Sequence, residues 1–183
     1  MENKITGIWL LGDTAVEGRW LEWYQDMVEL FRLLGHKPTN IAVEFPGDKR
    51  IRELTAARKE KEILRRIEDG EMPTFMGVDV LPKPREYDDS TLFTNRSNKS
   101  CSKDLYFAIN TTRCNPVDPE MIMEVLKKYS TLAYGEIFRE ITMDGAMMYM
   151  LNKETDVKLG RNTYRDTEIL KIYRGEKYAS RSE

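Results

Sequence analysis

ITGIWLLGDTAVEGRWLEWYQDMVELFRLLGHKPTNIAVEF, residues Ile5 to Phe45, reads as strand, helix, strand. Ile5 to Leu11 is an apolar run closed by Gly12 and Asp13, the punctuation expected where a strand ends. Thr14 to Gly18 is a polar lead into a helix in which Trp20, Trp23 or Tyr24, Met27, Leu30 or Phe31 and Leu34 recur at helical spacing. A stripe that wide must lie against another layer. Gly35 is placed for a left-handed cap and Pro38 prevents the helix from continuing. Thr39 to Phe45 is then the second strand, stopped by Pro46 and Gly47.

Outward from this block, Lys49 to Glu68 is densely charged but keeps an apolar stripe through Leu54, Ala57, Leu64 and Ile67, with Ile63 beside it. That pattern predicts a second, more exposed helix. Thr74 to Leu81 predicts a strand, with Phe75, Val78 and Val80 supplying the β-forming positions and Pro82 and Pro84 ending it. Arg85 to Lys103 is rich in Asp, Ser, Asn, Thr and Lys, which predicts a long polar loop. Asp104 to Asn110 predicts another strand, and Asp118 followed by Pro119 opens a third helix with Ile122, Val125, Leu126 and Tyr129 on its apolar face. Tyr134 to Ile141 reads as a strand, Asp144 to Leu151 as a short helix and Glu168 to Tyr173 as the closing strand. A single domain over 1–176 is expected, followed by a flexible tail over 177–183.

The 183 residues are 40% hydrophobic and 33% charged, a globular balance. The 29 basic and 31 acidic residues leave a net charge of −2, so no global field steers the chain toward nucleic acid. The apolar run Ile8 to Leu11 falls far short of the roughly 20 residues that span a bilayer, and neither export nor membrane insertion is expected. Cys101 and Cys114 are too few for a disulfide framework and are read as reduced thiols.

No constellation of residues announces a reaction. His36 is the only histidine, and it sits in a turn without the further ligands zinc requires. Gly7, Gly12 and Gly18 have the wrong spacing for a dinucleotide fingerprint. Catalytic residues, a metal and a cofactor are therefore not expected. Lys49, Arg50, Arg52, Arg58, Lys59, Lys61, Arg65 and Arg66 form a basic cluster in which Arg52, Lys59 and Arg66 fall seven apart, a ridge that could face phosphate. Glu53, Glu60 and Glu62 are interspersed, with Glu62 spaced to pair with Arg66, so a solvated, internally paired face is the expectation. Met121, Met123, Met143, Met147, Met148 and Met150 suit either an adaptable groove or core packing on two helices; core packing is the expectation.

Taken together, the ITGIWLLGDT start, the Trp-rich helix, TNIAVEF, the Asp118-Pro119 helix, the Asp144 to Leu151 segment and the closing strand resemble bacterial immunity proteins of polymorphic-toxin systems, the immunity protein 52 type in particular. The resemblance implies a small cytoplasmic, non-enzymatic protein that binds a cognate toxin and occludes its active site. The fold expected is α+β, a ferredoxin-like βαββαβ sheet with additional elements and helices on one face. Partner contact is expected first at Tyr87, Asp88 and Asp89, which could mimic an anionic substrate, and second at Asp13 and Glu17. A nucleic-acid-binding module built on the 49–66 helix and a carboxylate enzyme are the alternatives, no membrane partner is expected, and a homodimer is left open.

Overall fold

The computed structural model describes residues 4–15, 18–81, 90–99, 104–159 and 167–175, with the backbone alone described for 13–15 and 152–159. Along these residues run β1 (Ile5–Ala15), α1 (Trp20–Leu33), β2 (Asn40–Glu44), β3 (Arg52–Thr55), α2 (Ala56–Glu68), β4 (Phe75–Val80), β5 (Leu92–Ser97), β6 (Asp104–Asn110), α3 (Pro119–Leu126), β7 (Ser130–Glu140), α4 (Met143–Leu159) and β8 (Glu168–Arg174). The strands form one eight-stranded sheet in the order β3-β2-β4-β5-β6-β1-β7-β8. Every neighbouring pair is antiparallel.

The α+β class expected from the sequence is thus present, as one antiparallel sheet with helices. Within the sheet β1 lies between β6 and β7, and β2 lies between β3 and β4. Two strands, β5 and β6, separate β1 from β4. One of them, β5, falls inside the segment predicted to be a loop over 85–103. Its six residues are all buried, and polarity had disguised them. Thr94 donates its hydroxyl to the Tyr106 carbonyl at 2.8 Å, and the Arg96 guanidinium lies 4.2 Å from the Trp20 ring centre. Tertiary partners thus meet Thr94 and Arg96, side chains that composition alone assigns to solvent.

Helices cover both faces of the sheet, not one. Trp23, Met27 and Phe31 of α1, Ile63 and Ile67 of α2, and Ile122 and Leu126 of α3 pack with Ile8, Leu10, Val78 and Phe107. On the opposite face Met143, Ala146, Tyr149 and Met150 of α4 cover Trp9, Leu11, Ala108 and Phe138. The run Ile8-Trp9-Leu10-Leu11 explains the need for two layers: successive strand residues point to opposite faces, so a continuous apolar run must be covered twice.

The α1 stripe is buried as its spacing predicts, at Trp20, Trp23, Tyr24, Met27, Leu30 and Phe31. Its end is a glycine cap: Gly35 has φ 91°, and the His36 amide donates to the Phe31 carbonyl at 2.8 Å, the six-to-one bond of a Schellman turn. His36 Nε2 lies 2.8 Å from the Arg113 carbonyl oxygen, as suits a turn residue. The helix expected over Lys49 to Glu68 is shorter than its charge pattern implied, because Arg52–Thr55 pairs with β2 as an edge strand before α2 begins.

Candidate functional site

Strand alternation decides what lies at the β3-β2-β4 end of the sheet. Ile41, Val43, Met76 and Val78 point into the core under α1 and α2, so Asn40, Ala42, Gly77 and Asp79 point to the other face. Register sets Asn40 opposite Asp79 and Ala42 opposite Gly77, while β3 brings Thr55 beside Asn40 and Glu53 beside Ala42. The small residues Ala42 and Gly77 leave a hollow between polar walls. A cavity of about 240 Å³ results, lined by Asn40, Ala42, Glu53, Leu54, Thr55, Asp79 and Leu81.

The Asn40 side-chain amide donates to Asp79 Oδ1 at 2.9 Å. Asp79 is only 5% exposed, and its carboxyl is pushed up to about 6, chiefly by burial, with the Asn40 hydrogen bond opposing and the nearby Glu53 charge reinforcing the rise. Thr39 fixes this end of the sheet: its amide donates to the Asp79 carbonyl at 2.9 Å, and its hydroxyl accepts from the Leu81 amide at 2.9 Å. Among the described residues that line the hollow, two are carboxylates, Glu53 and Asp79. Its volume lies below the roughly 300–1,000 Å³ of small-molecule sites and suits one long basic side chain.

Tyr87, Asp88, Asp89 and Glu17 lie outside the described residues, and of Asp13 only the backbone, within β1, is described. The anchors of these segments are nevertheless fixed. Val80 pairs with Leu92 and the Thr91 amide donates to the Val80 carbonyl at 2.9 Å, so the described residues that flank 82–89 stand at the Asn40–Asp79 end of the sheet. The register runs Val80, Leu92, Ile109 and Thr6 across β4, β5, β6 and β1, which places the start of β1 at that end and Asp13 at the other. The two segments chosen from sequence therefore depart from opposite ends of the sheet. Asn40, Glu53 and Asp79 were missed; the signal available was Val78-Asp79-Val80, a carboxylate flanked by β-branched residues within a strand.

The basic ridge of Arg52, Lys59 and Arg66 is paired within the chain. Arg52 meets Asp48 at 3.2 Å, Lys59 meets Glu62 at 2.6 Å, and Arg66 meets Glu71 at 2.5 Å. Glu62 thus pairs with Lys59 and not, as spacing suggested, with Arg66, whose guanidinium also lies 3.8 Å from the Phe45 ring centre. The methionines divide: Met123, Met143 and Met150 are buried, while Met121 and Met148 are exposed.

A second buried carboxylate, Glu136 of β7, is fully buried. It accepts hydrogen bonds from Tyr134 and from Tyr149, the latter at 2.6 Å, and so ties α4 to the sheet. Cys114 is a free thiol pushed up to about 11 by burial, far from nucleophilic at neutral pH. Among the described residues no three His, Cys, Asp or Glu side chains are placed to hold a metal, and no helix is long and apolar enough to cross a membrane. Comparison with family models, with curated proteins and with solved structures finds no match for the chain.

Proposed function

We propose that this chain is an immunity protein, one that binds a cognate bacterial toxin stoichiometrically in the cytoplasm and occludes its active site without catalysing a reaction. The observation that carries the reading is the acid-lined hollow of Asn40, Glu53, Thr55 and Asp79, which suits one long basic side chain. Toxins that act on anionic substrates gather lysines and arginines at the reacting centre, and carboxylates held in a recess complement them. Such complementarity speeds association and selects the partner. Tyr87, Asp88 and Asp89 follow Leu81 along the chain and are further contacts of the same acidic chemistry. Asp13 and Glu17, anchored at the other end of the sheet, belong to a second contact.

The experiment is to establish whether the gene immediately upstream encodes a large protein with a variable C-terminal toxin domain and to co-express the chain with such a toxin. Wild-type chain restores growth, and Glu53→Lys, a change at an exposed position, weakens binding at least about tenfold, the loss expected when like charges are set against each other. Continued killing despite soluble wild-type protein overturns the immunity reading. Protection by wild type and Glu53→Lys alike at matched low expression removes the cleft from the interface and leaves the class standing.

A further inference from the structure

The two edges of the sheet are built differently. At one end β3 has four residues, Arg-Glu-Leu-Thr, and leads directly into α2. Short, charged and closely flanked by a helix, it has the features that keep an edge from recruiting another strand. At the other end β8 has seven residues, Glu-Ile-Leu-Lys-Ile-Tyr-Arg, six of them exposed. It contains no proline, and Ile169, Leu170 and Ile172 are 36%, 42% and 42% exposed. Among the described residues only β7 pairs with it, so its outer row of amides and carbonyls has no strand beside it.

The faces of β8 follow from its register. Ile172 pairs with Glu136 and Ile169 with Phe138, which puts both isoleucines on the α4 face, while Lys171 and Tyr173 pair with Ile137 and Gly135 on the α3 face. Leu170 sits at the register shift between them. Three ion pairs lie along the strip within the chain. Lys171 meets Glu120 at 2.5 Å, Arg139 meets Glu168 at 3.8 Å, and Lys127 meets Glu124 at 2.6 Å.

We propose that β8 pairs antiparallel with β8 of a second copy of this chain, joining two eight-stranded sheets into one. The axis passes through Ile172. An axis through Lys171 would set two lysines directly opposite, which destabilises a strand pair. An axis through Ile172 sets Ile172 on its own copy on the α4 face and places Lys171 of each chain across from Tyr173 of the other. Within one chain Lys171 already lies 5.2 Å from the Tyr173 ring centre, so this register extends an existing cation–π contact. Because Lys171 and Arg139 each carry a carboxylate of their own chain, the repulsion the second copy meets is reduced. The pairing leaves both Asn40–Asp79 clefts free at the far ends of the joined sheet, and it does not depend on the immunity reading. A strand pair alone buries less than a standard interface, so dissociation is expected on the order of 10 μM.

Sedimentation velocity on the full chain from about 1 to 200 μM, a range bracketing that constant, reads the prediction directly. The wild type shifts from monomer to dimer across the range, and Ile172→Lys stays monomeric at every concentration with unchanged circular dichroism. Replacing Cys101 and Cys114 by serine and introducing Ile172→Cys gives a dimer cross-linked on mild oxidation, whereas Glu168→Cys in the same background does not. A wild type that remains monomeric throughout, or a dimer that survives Ile172→Lys, or equal cross-linking at 168 and 172, overturns the proposal.

Discussion

Tyr149 of α4 donates its hydroxyl to Glu136 Oε2 of β7 at 2.6 Å, with both side chains buried. Among the described residues α4 is the only helix on its face of the sheet, and it is thereby held by a carboxylate as well as by apolar packing. Tyr149→Phe keeps the ring against Phe138, whose centre lies 4.5 Å away, and removes only the donor. Hydrogen bonds to charged groups are worth about 1.5–3 kcal/mol, so a loss of about 2 kcal/mol is expected in denaturant unfolding. Amide exchange should quicken in α4 while α1 is unaffected. An unchanged unfolding midpoint would show that the hydroxyl contributes nothing to holding the helix.

Asp79 predicts a pH dependence of definite sign. Its carboxyl titrates near 3.8 when unfolded and about 6 when folded. Between those values the folded chain keeps a proton that the unfolded chain has released, so this group's stabilising contribution is complete below about pH 3.8 and is lost as pH rises through 6. Asp79→Asn holds the side chain neutral and can still accept from Asn40. It should therefore be more stable than wild type by about 3 kcal/mol at pH 8 and indistinguishable from it near pH 3. Urea melts at the two pH values decide the matter; a stability difference that does not vary with pH rules out titration at Asp79.

The elements legible in the sequence were those whose apolar residues keep one period. The stripe of α1, the strand Asp104–Asn110, with its bounds, and the Pro119 start of α3 all follow from local pattern. What escaped was set by distant partners. β5 carries Thr94, Asn95, Arg96 and Ser97, all buried, and partners distant in sequence, among them Tyr106, Trp20 and Tyr129, approach Thr94 and Arg96. β3 is a strand because β2 offers a free edge, while its own charges read as helix. The cleft escaped for a related reason: Asn40, Glu53 and Asp79 come from three strands, and only the register brings them together.

Asp118 caps α3 by accepting from the Glu120 amide at 2.9 Å, with Pro119 at the first helical position. Asp118→Ala leaves that amide without its side-chain acceptor and should cost about 1 kcal/mol. Asp118→Ser should restore most of it, since a hydroxyl can fill the same role. Equal losses for the two variants in thermal unfolding would mean that the cap bond is not the source of the effect.

Gly7 of β1 faces Phe138 of β7 across the ladder, and a Cβ placed on Gly7 would lie 2.1 Å from Phe138 Cζ. The ring cannot simply withdraw, because Phe138 is fully buried and held against Tyr149. Two effects then oppose each other in Gly7→Ala. Restricting the unfolded chain favours alanine by about 0.4–1 kcal/mol, while overpacking a filled core costs about 1–3 kcal/mol. Overpacking should prevail, with a net loss of about 2 kcal/mol. Phe138→Leu removes the atoms in conflict, so in its presence Gly7→Ala should become nearly neutral, giving a coupling of at least about 1 kcal/mol between the two sites. Losses that simply add would place the strain elsewhere in the β1–β7 ladder.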